Sequence, residues 1–315
     1  MSCRGSKAIL RVATARLIRS GRWCLIVLLL VLAGCAALSK NTVLLRASGE
    51  ARLATRVKKG LFLTTVRIGD REAGPFLIDS GANAIVLDAE LAKTVQLSAW
   101  REVDDPEYKQ KVKWATVASL EVGPMTFQNT DVVVMDFSTS IPVLGERAAG
   151  LLGRPFFAQV VVEVDYPARS IACFDPATYR LPRGEWVPLT FQAGRPIVAA
   201  RLDGNIAGQF LVDTGSNQTV LFYPEFAQHY ALLDHRETRP HTLLGVDRPH
   251  EVPSARIAGF ELAGRRFEQP LVSFAPADMH KSFPTGIAGE IGGGILREFT
   301  IVFNYPESKI ALLPR

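Results

Sequence analysis

The chain has 315 residues, 48% of them hydrophobic, with 36 Lys and Arg against 31 Asp and Glu for a formal net charge of +5. That length permits two domains of ordinary size. The basic excess does not imply a nucleic-acid partner: the first 34 residues hold six bases and no acid, and the remaining 30 bases against 31 acids leave about −1, with no basic run interleaved with aromatics.

Residues 1–34 carry Arg4, Lys7, Arg11, Arg16, Arg19 and Arg22, then the apolar run from Cys24 to Leu32. A basic stretch followed by an apolar run too short for a comfortable span is the pattern of a signal peptide. It ends in Leu32-Ala33-Gly34-Cys35, which looks like a bacterial lipobox. The lipobox implies cleavage before Cys35 and a diacylglycerol thioether on its sulfur. With Ala36 next, it implies attachment in the bacterial cell envelope, at the outer membrane facing the periplasm; the alternative is a plain signal anchor. Residues 35–56 are small and polar and read as a tether.

From residue 57 short alternating or β-branched runs dominate: Leu61–Ile68, Phe76–Ile78, Ile85–Leu87, Val112–Leu120, Asp131–Phe137 and Val160–Tyr166. Turn residues between them give the pattern of an antiparallel β domain. Short helices are expected at 88–95 and 155–158, with counterparts at 223–230, where Pro224 suits a first turn, and at 295–299. Leu181-Pro-Arg-Gly-Glu185 has the composition of a connector, dividing the chain into 57–182 and 183–315. Cys3 and Cys24 leave with the leader and Cys35 takes the lipid, so Cys173, among apolar neighbours, reads as a buried structural thiol with no disulfide partner. His229, His235, His241, His250 and His280 lack the two-ligand spacing of a helical zinc motif, so neither a metal nor another cofactor is expected.

The chain repeats itself. Phe76-Leu-Ile-Asp79-Ser80-Gly81-Ala82-Asn83 recurs 134 residues later as Phe210-Leu-Val-Asp213-Thr214-Gly215-Ser216-Asn217. Gly150-Leu-Leu-Gly153 and a following strand ending in Tyr166-Pro167 recur as Gly289-Glu-Ile-Gly292 and a strand ending in Tyr305-Pro306. A carboxylate at the end of a buried strand is costly without a partner, and two copies meeting at an interface would supply one.

At these residues, and over roughly residues 57–315, the chain resembles the aspartic protease superfamily of pepsin-like and retropepsin-like enzymes. The resemblance implies an all-β fold of two similar lobes with a cleft between them, and a peptide or unfolded protein as substrate. It further implies hydrolysis by one water activated between Asp79 and Asp213. Paired Asp residues sharing a proton are the established pattern of that superfamily and are taken over here with the resemblance. Gly81 and Gly215 leave room beside the carboxyls, and Ser80 and Thr214 cross-link the loops. Ser216 offers a hydroxyl to Asp213, making it the more acidic member. Both half-sites lie in one chain, so a monomer suffices.

A flap hairpin is expected in Tyr108–Trp114, with Tyr108 or Trp114 as its substrate-facing residue, or as half-buried strand aromatics. Leu243–Asp247 is its counterpart in the second half. One departure stands out: Glu290 occupies a slot where the superfamily carries an aliphatic residue. Either it faces the dyad, or the run Gly292-Gly-Gly294 shifts the register and turns it to solvent. The alternative function is a catalytically inactive pepsin-like lipoprotein that binds peptides.

Overall fold

The computed structural model describes residues 49–105, 110–138, 141–244, 249–277 and 285–314; Cys35, Tyr108 and His280 lie outside them. The described residues build three β-sheets, and helices are confined to single turns or little more. Four of these sit where the repeat places them: Ala89–Ala92, Arg154–Phe157, Pro224–His229 and Gly293–Leu296. Pro155 and Pro224 stand in the first turn of theirs, where the missing N–H has no partner to lose. The fold is therefore all-β.

Each half has its own sheet, and the two have one topology. In the first half the spatial order is 55–58, 61–68, 71–78, 150–152, 85–88, 125–135, 110–122 and 98–105. In the second it runs from 195–202 through 206–212, 289–291, 220–222, 271–274 and 249–256 to 239–244, with 190–192 pairing at the start. The halves also close alike: 61–68 pairs back onto 110–122, and 195–202 onto 259–262. In both, the strand that ends in the repeated Asp pairs in parallel with the glycine-flanked strand. Leu77 lies opposite Leu151, and Leu211 opposite Glu290. Parallel pairing buries both faces, which is why these strands read as unbroken apolar runs, Phe76-Leu-Ile and Phe210-Leu-Val.

A third sheet draws on both halves. Its order is 50–53, 170–174, 161–165, 299–304, 309–314 and 187–188, so it is symmetric about the junction between 161–165 and 299–304, where Val164 faces Ile301. Phe157 from the first half packs on Phe303 and Tyr305 from the second, with ring centroids 5.2 and 5.3 Å apart. Phe157 and Phe303 are wholly buried, and each such ring removed from water contributes about 1.5–3 kcal/mol. The symmetric sheet and shared aromatic core bring the ends of the two Asp strands to one place.

The sequence places a tether over 35–56, but its last residues are in the fold. Glu50–Leu53 pairs along Ser170–Phe174, with Ala51 and Leu53 buried, and Thr55–Lys58 joins the first sheet. Cys173 is buried and unpaired, and burial pushes its thiol well above the ordinary range.

Candidate active site

Asp79 and Asp213 end their strands and enter short turns that interlock. The Ser80 N–H donates to Thr214 Oγ1 at 3.0 Å, and the Thr214 N–H donates to Ser80 Oγ at 3.0 Å. Each hydroxyl then donates across to the other strand: Ser80 Oγ to the Val212 carbonyl at 2.7 Å, Thr214 Oγ1 to the Ile78 carbonyl at 2.9 Å. Both hydroxyl residues are fully buried, and the four bonds satisfy two N–H groups, two hydroxyls and two carbonyls with one another. This lattice fixes the carboxyls. An ideal Cβ on Gly81 would lie 2.6 Å from Asp213 Cγ, and one on Gly215 would lie 2.5 Å from Asp79 Cγ. Each carboxyl thus rests on the glycine of the opposite loop, and only glycine leaves it room.

The two carboxyls lie close enough for each to act on the other's protonation. The Ala82 N–H donates to Asp79 Oδ1 at 3.0 Å, and the Gly215 N–H to Asp213 Oδ1 at 2.7 Å. Burial, followed by the charge of Asp213 and the hydrogen bond to it, holds Asp79 well above the usual carboxylate range. Burial raises Asp213 too, but the Gly215 N–H, the bond from Asp79 and the Arg195 guanidinium pull it back. The pair therefore holds one proton, with Asp79 the member that keeps it.

Sequence expects the Ser216 hydroxyl to serve Asp213, and the structure corrects this. The Ser216 N–H donates to the Asp213 backbone carbonyl at 3.4 Å and its hydroxyl accepts the Gln218 N–H at 3.3 Å, while the carboxyl on which that hydroxyl acts is Glu290. Glu290 is not turned to solvent either. It stands in regular register between Leu211 and Leu221, so the glycine run that follows causes no slip. Tyr223 Oη also reaches its Oε2, at 3.4 Å. Burial and the nearby Asp213 push Glu290 up to about 8.

Arg195 was not singled out from sequence. It is 7% exposed, and its Nε donates to the Gly81 carbonyl at 3.0 Å, joining the second half to the first Asp loop. Tyr305 ties in from below, its hydroxyl donating to the Ser80 carbonyl at 3.3 Å. A strand-opening Arg before a Pro carries no signal alone; aligning the halves would have shown it, because Arg195 falls where the first half has Leu61. Trp114 lies on strand 110–122, half-buried against Ala84, Val86 and Val133, with the Arg101 guanidinium 5.4 Å from its ring. It is a sheet aromatic, while the tip of that hairpin and the 245–248 tip of the matching one fall outside the described residues. Among the described residues no group of His, Cys, Asp and Glu is arranged to hold a metal.

Two carboxyls on interlocked, glycine-backed turns thus stand together where the two halves of this all-β fold meet. The aspartyl protease family model matches residues 64–156, which span the first Asp loop and the first glycine-flanked strand. Among solved structures the chain is similar to basic 7S globulin from soybean, with a TM-score of 0.50 and 12% identity over 84% of this chain and 95% of that one. At that identity the likeness concerns the fold. No curated protein sequence matches the chain. The family match supports a protease-type function at the level of the superfamily.

Proposed function

We propose that the protein is an aspartic endopeptidase that hydrolyses peptide bonds with one water activated between Asp79 and Asp213. The observation that carries this reading is the carboxyl pair itself, each member seated on the glycine of the other's loop. Asp213, the more acidic member, takes a proton from the water. Asp79 donates the shared proton to the substrate carbonyl, giving a gem-diol. Asp213 then passes its proton to the leaving nitrogen as the C–N bond breaks, while Asp79 takes a proton back from a gem-diol hydroxyl as the carboxylic acid forms, which restores the one-proton pair. This is general acid–base catalysis with no covalent intermediate and no cofactor. The substrate is a peptide or an unfolded protein, and the protein acts as a monomer, held in the bacterial cell envelope by lipid on Cys35.

The test is cleavage of an unfolded protein by the full chain across an acid-to-neutral series. Activity should fall by about 10²-fold or more in Asp79→Asn and in Asp213→Asn. One observation favours a second reading, a catalytically inactive lipoprotein of this fold that binds peptides: the third carboxyl, Glu290, close to Asp213. That reading holds if both Asn variants keep peptide affinity and the wild type turns nothing over. Mass spectrometry decides the anchor, since an unmodified Cys35 would remove it.

A further inference from the structure

The two halves match strand for strand, yet they differ beside the dyad. In the first half, Leu61 and Leu151 occupy the positions related by the repeat, and they pack with Leu63, Leu77, Leu144 and Ala148 as an apolar cluster. In the second half the same two positions hold Arg195 and Glu290. An apolar pair on one side has become a guanidinium and a carboxyl on the other, at the side of Asp213.

Glu290 has defined partners there. Its carboxyl meets the Ser216 hydroxyl on the Asp213 loop and Tyr223 Oη at the end of strand 220–222. The Ser216 Oγ in turn accepts the Gln218 N–H at 3.3 Å, and the Ser216 carbonyl accepts the Gly293 N–H at 2.7 Å. The charged groups that bear on Glu290 are Asp213 and Arg195, and the neighbouring strand residues, Leu211 and Leu221, are apolar. A carboxyl so placed has two hydroxyls to bond and an anion beside it. Its neutral form satisfies both hydroxyls without adding charge, whereas its anion competes with Asp213 for Arg195.

We propose that Glu290, as a neutral carboxyl, is a positioning residue of the dyad: it braces the Asp213 loop through Ser216 and leaves Arg195 to Asp213. When Glu290 loses its proton, the added negative charge makes Asp213 a stronger base. The shared proton is then drawn from Asp79 towards Asp213, and the division of roles is lost. Burial and Asp213 together favour the neutral form through neutral pH.

This inference rests on the hydrolytic reading, and the experiment separates the two. The pH–rate profiles of the full chain, Glu290→Gln and Glu290→Leu are compared on one unfolded substrate. Gln keeps the hydrogen bonds and cannot ionise, so the alkaline limb should move to higher pH with the acid limb in place. One pH unit above the wild-type limb, Glu290→Gln should exceed wild type about tenfold. Glu290→Leu, which removes both bonds, should lower kcat with little change in KM, and the Gln variant should restore it. An alkaline limb unmoved in Glu290→Gln overturns the inference.

Carbon-13 NMR titration of the Glu carboxyls supplies a readout that needs no turnover. The Glu290 resonance, identified by its loss in Glu290→Gln, should titrate well above the ordinary range and drop in Asp213→Asn. An ordinary midpoint, unmoved by Asp213→Asn, overturns the inference even if the chain hydrolyses nothing. An inactive wild type with the shifted, coupled titration sinks only the hydrolytic reading.

Discussion

Ser80 and Thr214 exchange backbone N–H groups for hydroxyls at the same 3.0 Å in both directions. No polar group of this exchange has water as an alternative partner. Thr214→Ala therefore leaves the Ser80 N–H and the Ile78 carbonyl buried and unpaired, which costs about 1–3 kcal/mol. Thr214→Ser keeps the oxygen and should retain most of that stability. Urea unfolding of both variants checks this, and equal losses in the two would show that the hydroxyl is not what matters.

A methyl group on either dyad glycine should act on chemistry rather than folding. Gly215→Ala places its Cβ about 2.5 Å from Asp79 Cγ, and Gly81→Ala does the same to Asp213 from 2.6 Å. The carboxyls must move apart, and a misplacement near 1 Å costs about a hundredfold in rate. Expected is a loss of that order or more in kcat from either substitution, with far-UV circular dichroism unchanged. Unaltered kcat in both would mean that the carboxyl positions are not critical.

The pH dependence of stability follows from the raised Asp79. Its folded pKa lies above the unfolded value, so the folded chain keeps a proton that the unfolded chain gives up. The stabilisation is complete at acid pH below the ordinary carboxylate range, and is lost as pH rises towards the raised value. Asp79→Asn cannot ionise. Its thermal midpoint should gain steadily on wild type as pH rises above the ordinary carboxylate range, while kcat falls by about 10²- to 10⁴-fold. A constant offset between the two melting curves across that rise would contradict the assignment of the shared proton.

How much of this the sequence shows depends on whether the two halves agree. Asp79 with Asp213, Ser80 with Thr214 and Gly81 with Gly215 are legible because repetition doubles a weak motif. Arg195 and Glu290 belong to the half that departs, and a departure in one copy has no second copy to fix its orientation. Glu290 could be noticed but not aimed, and the structure turns it inward because parallel pairing with 206–212 sets the register before the glycines act. Sequence offers the Ser216 hydroxyl to its nearest carboxyl, Asp213, whereas in space the carboxyl it acts on is Glu290, 74 residues on. The strand at Glu50–Leu53 escaped notice because two apolar residues, Ala51 and Leu53, are too few to establish an alternation.

The pair formed by Asp88 and Arg147 gives a prediction of opposite pH sense. Asp88, with its side chain 3% exposed, follows the first Asp loop at the end of strand 85–88, and Arg147 meets both its oxygens at 2.9 Å. Burial works against the charge, but Arg147 and the Phe137 N–H overcome it and hold Asp88 below its ordinary value. Its stabilisation is therefore present above the ordinary carboxylate pKa and is lost as pH falls through the lowered one. Arg147→Ala strands a buried anion; because Arg147 is itself 32% exposed, the cost should fall below the range of about 3–5 kcal/mol for a wholly buried pair, near 2 kcal/mol. Arg147→Ala with Asp88→Asn should recover much of it, since the neutral amide needs no counter-ion. The same cycle measured at low pH should shrink, because protonated Asp88 no longer calls for the guanidinium. A coupling energy that stays constant from neutral to strongly acid pH would mean that packing, not charge, joins these two residues.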